Sequence, residues 1–134
     1  MNKDSLMSIK PISTPNAPKA IGPYSQGMRA GDFLFCSGQV ALDPKTGELM
    51  GQSAAEQAAR ALENLRAVIE AAGGNLSQVV RTTIFLIDLG DFSSVNETYG
   101  KFFPSNPPAR STVGVASLPR GARVEIDAIC YLGK

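Results

Sequence analysis

The sequence predicts an α+β domain with the element order β-β-α-β-α-β-β, in which two amphipathic helices cover one face of a sheet. Three observations carry this expectation. Ser53-Ala-Ala-Glu56 is a capping box that opens a run whose apolar residues Ala58, Leu62, Leu65, Ile69 and Ala72 recur at helical spacing, and Gly73-Gly74 stops it. A second run places Phe92, Val95, Tyr99 and Phe102 on one helical face with Phe103 beside it; Asp91 can cap it and Pro104 ends it. Around these helices lie β-branched and aromatic stretches punctuated by Gly, Pro and Asp.

The 134 residues fit one domain. Residues 1–16, polar and carrying Pro11 and Pro15, read as a flexible N-terminal lead-in, and 17–134 as the domain itself. Gly22-Pro23 sets a turn, after which Tyr24 to Met28 can form a short strand. Tyr24 is either a half-buried aromatic or a pocket wall with a hydroxyl to donate. Asp32 to Ala41 is a buried strand ending in Ser37-Gly38; a strand glycine marks a bulge or a place where a ligand nears the backbone. Leu42 to Glu48 turns in solvent. On the first helix, Glu56, Arg60, Glu63 and Arg66 fall off the apolar stripe and read as solvated. Val79 to Ile87 is too densely apolar for a half-exposed strand and belongs in the middle of the sheet. Asn96, in the first turns of the second helix, is either a surface amide or a polar group of a site.

Pro107-Pro108 forces an extended entry into the last two strands, Ser111 to Val115 and Ala122 to Tyr131, joined by a turn at Leu118-Pro-Arg-Gly121. If they fold as a hairpin about that turn, Arg110 comes to lie beside Glu125 or Asp127. Taken alone this is a surface ion pair, worth about 0 to 1 kcal/mol. Two helices cover only one face of such a sheet, so a monomer would expose apolar residues on the other, and a homo-oligomer is expected.

Composition narrows the chemistry. With 13 Lys+Arg against 12 Asp+Glu, the net charge of +1 offers no basic excess for a nucleic-acid backbone. No apolar run reaches membrane-spanning length, and the N-terminal residues lack a secretory core. Cys36 and Cys130 lie in apolar strand-like runs and read as buried thiols rather than a disulfide, which suits a cytoplasmic protein. There is no histidine. That excludes a Ser-His-Asp triad, a Cys-His pair, a His-ligated zinc and a two-histidine ribonuclease mechanism, and two cysteines cannot build a Cys-rich metal site.

Several stretches together resemble the Rid (YjgF) family of reactive intermediate deaminases, on its RidA branch. They are Ile21-Gly-Pro-Tyr-Ser-Gln-Gly27, Ser37-Gly-Gln39, Gln57 through Gly73, Val80-Arg-Thr-Thr83, Val95-Asn-Glu-Thr-Tyr99, and Pro108-Ala-Arg-Ser111 followed by Val124-Glu-Ile126. The resemblance spans Pro15 to Tyr131. It implies a chorismate-mutase-like subunit with a mixed sheet, and a homotrimer whose sheets pack into a central barrel with three sites between subunits. It also implies hydrolysis of 2-enamine/2-imine intermediates, of the 2-aminoacrylate and 2-iminobutyrate type, to a 2-oxo acid and ammonia. Such intermediates are released by pyridoxal-phosphate-dependent dehydratases; the deaminase needs no cofactor or metal.

Residue by residue, the resemblance makes Arg110 the grip on the substrate carboxylate and Glu125 the group that positions or activates water. Tyr24, Ser37 and Gly38 become pocket residues, and Asn96 a polar residue near the site. Thr112 stands where many RidA proteins have a cysteine, so no cysteine nucleophile is available there. The loop before Pro108 is short and carries Pro107 in place of an aromatic. The chemistry is reasonable for these side chains. A guanidinium fixes a carboxylate in both position and orientation, and a nearby carboxylate can aim water and shuttle a proton. Alternatives are an endoribonuclease or translation inhibitor, a non-enzymatic small-molecule-binding or chaperone-like trimer, and a deaminase of an aminomuconate-type enamine.

Overall fold

Ser53 starts helix α1 (Ala54–Ala71) as its spacing predicts: its hydroxyl accepts the Glu56 N–H at 3.1 Å, and the Glu56 carboxylate accepts the Ser53 N–H at 3.1 Å. These bonds satisfy donors that the first helical turn would otherwise leave unpaired. At the far end Gly73 takes φ 88°, which a residue with a Cβ rarely adopts, and turns the chain away. Ala58, Leu62, Leu65 and Ile69 are buried, as expected, against the sheet. Each large side chain so buried contributes about 1.5–3 kcal/mol relative to an exposed one. The helix pattern is thus local in origin and held by tertiary packing.

The computed structural model describes residues 8–133. They form one six-stranded mixed sheet with two helices, an α+β architecture. The strands are β1 (Ile9–Ile12), β2 (Gly27–Ala30), β3 (Phe33–Gln39), β4 (Val79–Leu86), β5 (Ala109–Gly114) and β6 (Val124–Tyr131); helix α2 is Phe92–Phe102. Their order across the sheet is β1-β2-β3-β6-β4-β5. Only the β4–β5 pair is parallel. On β6, Val124, Ile126, Ala128 and Cys130 are buried in the helix-covered core, while Glu125, Asp127, Ile129 and Tyr131 alternate to the other face. That second face carries Phe33, Phe35, Val113 and Tyr131, all exposed.

Several expectations change. The last two strands do not form a hairpin: β4 lies between β5 and β6, paired with both. A parallel partner has no tight-turn signature in sequence, so adjacency along the chain was a misleading guide. The lead-in expected over 1–16 includes β1, paired antiparallel with β2; residues 1–7 of that lead-in lie outside the described residues. Pro11 is tolerated because β1 is an edge strand. β2 begins at Gly27, leaving Tyr24 in the preceding loop. Asp91 occupies the cap position of α2 without a side-chain capping bond. Phe92, expected inward, is 41% exposed. Of the other residues expected on that face, Val95 and Tyr99 are buried and Phe102 is partly buried, with Phe103 beside them buried.

Both cysteines are free and buried. Among the described residues no helix is long and apolar enough to cross a membrane, and no group of His, Cys, Asp and Glu side chains could hold a metal ion.

Candidate functional site

Arg110 extends from β5 on the helix-covered side of the sheet, where it is paired with Thr82 of β4. Its guanidinium carbon lies 4.9 Å from the centre of the Tyr99 ring and 5.6 Å from that of Phe92. Tyr99 is itself anchored by a 2.7 Å hydrogen bond between its hydroxyl and that of buried Thr82. Two α2 side chains thus make an aromatic seat for a cation, each contact worth about 0.5–1 kcal/mol or more as water is excluded. Phe92, Asn96 and Tyr99 are spaced i, i+4, i+7, so Asn96 shares the face of α2 that meets Arg110. Among the described residues the only ion pair is Arg66–Glu63, so Arg110 has no carboxylate partner. Thr112, two residues further along β5, falls on the same side as Arg110, and its hydroxyl oxygen is buried with no hydrogen-bond partner.

Glu125 lies elsewhere. It pairs with Phe85, three positions along β4 from Thr82, and so on the opposite face of the sheet. Two strand spacings and three residue steps separate the two Cα atoms by roughly 14 Å. Arg110 and Glu125 therefore do not share one neighbourhood within a subunit, contrary to the expectation from a hairpin.

What Glu125 does meet is Gly38. The β3–β6 register shifts between Cys36 and Gln39, so Ser37 and Gly38 form a bulge. A Cβ placed on Gly38 would collide with the Glu125 carboxylate. The bulge reading of Gly38 is correct, and the group the missing side chain makes room for is Glu125. Burial and the negative charge of Asp127 raise the Glu125 carboxyl above the usual glutamate range.

Ser37 ties this bulge to the Tyr24 loop. Its hydroxyl donates to the Ser25 carbonyl at 2.6 Å and its N–H to the Gln26 carbonyl at 3.0 Å. Buried Gln26 in turn holds the 14–18 segment: its amide donates to the Pro18 carbonyl at 2.8 Å and its side-chain oxygen accepts the Thr14 N–H at 2.7 Å. Tyr24 is exposed and lines, with Ser25, Met28, Phe35, Cys36 and Ser37, an open cleft of about 430 Å³. A larger cleft, about 660 Å³, lies between Tyr24 and the 11–15 segment, and neither Arg110 nor Glu125 borders it. The Cys36 thiol is pushed far up by its hydrogen bond with Cys130 and by burial, so it is no nucleophile.

The candidate residues thus form two sets: Arg110, Asn96 and Thr112 on the α2 side, and Glu125, Gly38, Ser37 and Tyr24 around the bulge. Sequence reading missed the seat of Phe92 and Tyr99, although their spacing from Asn96 was visible, and it missed Asp127 as the neighbour of Glu125.

Comparison with known proteins gives the class. The family model described as Endoribonuclease L-PSP matches residues 14–132, and the chain belongs to this family, the Rid (YjgF) proteins. Protein DfrA of Myxococcus xanthus is 56% identical over 125 residues, covering 92% of this chain and 95% of that protein. The human 2-iminobutanoate/2-iminopropanoate deaminase is 46% identical over 122 residues, covering 91% of this chain and 89% of its own. The crystal structure of Escherichia coli TdcF with bound serine superimposes with a TM-score of 0.89 at 42% identity, covering 92% of this chain and 99% of that one.

Proposed function

We propose that this protein hydrolyses 2-enamine/2-imine intermediates of small amino acids to the 2-oxo acid and ammonia, at sites completed between subunits of a homotrimer. The observation that carries the proposal is Arg110: a guanidinium held on two aromatic rings, with no carboxylate partner among the described residues. A cation oriented in advance but left unpaired suits a carboxylate-bearing ligand. Relatives named as 2-iminobutanoate/2-iminopropanoate deaminase, and TdcF solved with serine, support a small amino-acid-like substrate.

Arg110 and Glu125 occupy opposite faces, so one active site takes Arg110, Asn96 and Thr112 from one subunit and Glu125, Gly38, Ser37 and Tyr24 from another. The exposed apolar face of the sheet supports such an assembly, because packing it against other copies removes Phe33, Phe35 and Tyr131 from water. Arg110 holds the substrate carboxylate and so presents the neighbouring C=N carbon. Glu125 orients a water toward that carbon, and a C–O bond forms as the C=N π pair moves to nitrogen. Glu125 takes a proton from the water and returns it to nitrogen. Glu125 then carries the hydroxyl proton of the resulting carbinolamine to its amino nitrogen, the C–N bond breaks with its electron pair going to nitrogen, ammonia leaves, and the C=O of the 2-oxo acid remains. Water is the only co-reactant. The substrates are supplied by pyridoxal-phosphate-dependent dehydratases, and the reaction takes place in the cytoplasm.

The test couples the purified protein to a serine or threonine dehydratase and follows 2-oxo acid and ammonia release with imino acids of several sizes. Acceleration over the uncatalysed rate, lost in Arg110→Ala, supports the proposal; an Arg110→Ala variant as fast as the parent overturns the carboxylate grip. Because the family description names an endoribonuclease, the same two samples are assayed on RNA; cleavage unaffected by Arg110→Ala does not belong to this site.

A further inference from the structure

Asp127 is an acidic group without an assigned role beside the proposed water-handling carboxylate. It follows Glu125 by two residues on β6 and so shares its face. Its position is fixed rather than free, because its carboxylate accepts the backbone N–H of Thr83 at 2.9 Å, across the strand pair. It also stands opposite the Ser37-Gly38 bulge: Cys36 pairs with Ala128 and Gln39 with Ile126, leaving two residues of β3 against Asp127 alone. The Glu125 carboxylate occupies, on the same side, the space that a side chain on Gly38 would fill. Two carboxylates thus stand on adjacent same-face positions of one strand, one tied by a backbone donor and the other lying in the space left at the bulge.

We infer that Asp127 is a positioning residue of the reaction, whose fixed negative charge keeps the Glu125 carboxylate ready to take up a proton. This deepens the proposed role of Glu125 and rests on it. Like charges held close disfavour the doubly ionised state, and the group with the weaker stabilisation takes the proton. The Asp127 carboxylate is tied down by the Thr83 N–H, whereas Glu125 has no such donor among the described hydrogen bonds. The Glu125 carboxyl is raised first by burial and then by the charge of Asp127. A carboxylate that must accept a proton from water and return it to nitrogen works best when its affinity for that proton lies closer to working pH.

The other charged groups near Glu125 do not replace Asp127. Just before β6, Arg123 precedes Glu125 by two residues and is exposed. On β4 the residues sharing the face are Arg81, Thr83 and Phe85, and the Arg81 guanidinium donates to the Ser111 hydroxyl at 2.8 Å, toward β5. On β3 they are Phe33, Phe35 and Ser37, with no charge. Besides Glu125 itself, Asp127 is the one acidic group on these three strands, and a neighbouring arginine cannot raise a carboxyl.

The experiment follows the Glu125 side-chain carboxyl by carbon-detected NMR across a pH titration of the whole protein, in the parent, Asp127→Asn and Asp127→Glu. Asparagine keeps an oxygen for the Thr83 N–H but removes the charge; glutamate keeps the charge. The expected result is a Glu125 midpoint shifted to lower pH in Asp127→Asn and returned toward the parent in Asp127→Glu. In the coupled assay, corrected for the uncatalysed rate, Asp127→Asn should correspondingly retain roughly twofold or more additional activity at pH 5, relative to its own plateau. A Glu125 midpoint unchanged in Asp127→Asn overturns the inference. If that midpoint moves as expected while Glu125→Gln deaminates at the parent rate, the electrostatic coupling stands, the reading of Glu125 as the water-handling group fails, and with it the catalytic role of Asp127.

Discussion

Two regions of this subunit carry the candidate chemistry, and they are built by different means. On the α2 side, Arg110 is held by side chains, the rings of Tyr99 and Phe92, with Tyr99 in turn bonded to Thr82. Around the bulge, Glu125 is accommodated by the backbone: an irregularity in β3 places a residue without a Cβ where its carboxylate lies. The first region is a packing solution, which tolerates modest changes in shape. The second is a steric one, where a single methyl group is too many. They also face opposite ways, which is why the proposed site draws on two copies of the chain.

The largest expected effect comes from breaking that separation. Arg110→Ala and Glu125→Gln should each lower kcat/KM by about a hundredfold or more, as loss of a charge-assisted carboxylate bond or of a proton shuttle does. Mixed oligomers refolded from the two variants should recover part of the activity, since one interface then holds both intact residues. Recovery absent from mixtures whose mixed composition is verified by mass spectrometry would place both groups in one subunit's site and contradict the composite reading.

Gly38→Ala should come next, with kcat down about tenfold and KM changed less, because the added methyl displaces Glu125 and leaves Arg110 untouched. Thermal unfolding checks that the fold persists. An alanine variant of full activity would mean that the fit of Gly38 to Glu125 is structural only.

Glu125→Gln also carries a stability signature. The Glu125 carboxyl is raised in the folded protein, chiefly by burial, so the folded state binds more protons than the unfolded one between the ordinary glutamate range and that raised value. Stability from this group is present below that window and is lost as pH rises through it. The glutamine variant lacks this loss. Its Tm relative to the parent should therefore increase with pH across the window and level off above it, read by calorimetry at several pH values.

The smallest effects belong to the aromatic seat. Tyr99→Phe keeps the ring beneath Arg110 and strands the Thr82 hydroxyl, costing about 1–2 kcal/mol of stability with little change in activity. Phe92→Leu removes one ring from an exposed position and should raise KM only about two- to fivefold. A larger effect of Phe92→Leu than of Gly38→Ala would reverse the ranking of the two regions.

The sequence alone determined what is local. Helix α1 was legible because its capping box, apolar spacing and terminal glycine lie within one stretch, and the bulge at Gly38 was legible because a glycine inside a strand has few other uses. Arg110 and Glu125 could be nominated from their motifs. Where they stand relative to each other could not. That depends on β4 entering between β5 and β6, a pairing between segments far apart in the chain, one of them parallel and without a turn to announce it. The same insertion gives Arg110 its partner Thr82 and, through Tyr99, its aromatic seat, and it brings the Thr83 N–H to Asp127. β1 escaped notice for a similar reason: four residues with an internal proline become a strand only when an edge is there to receive them. Residue type determined which groups could do chemistry; strand order, which only the folded chain decides, determined that they face apart.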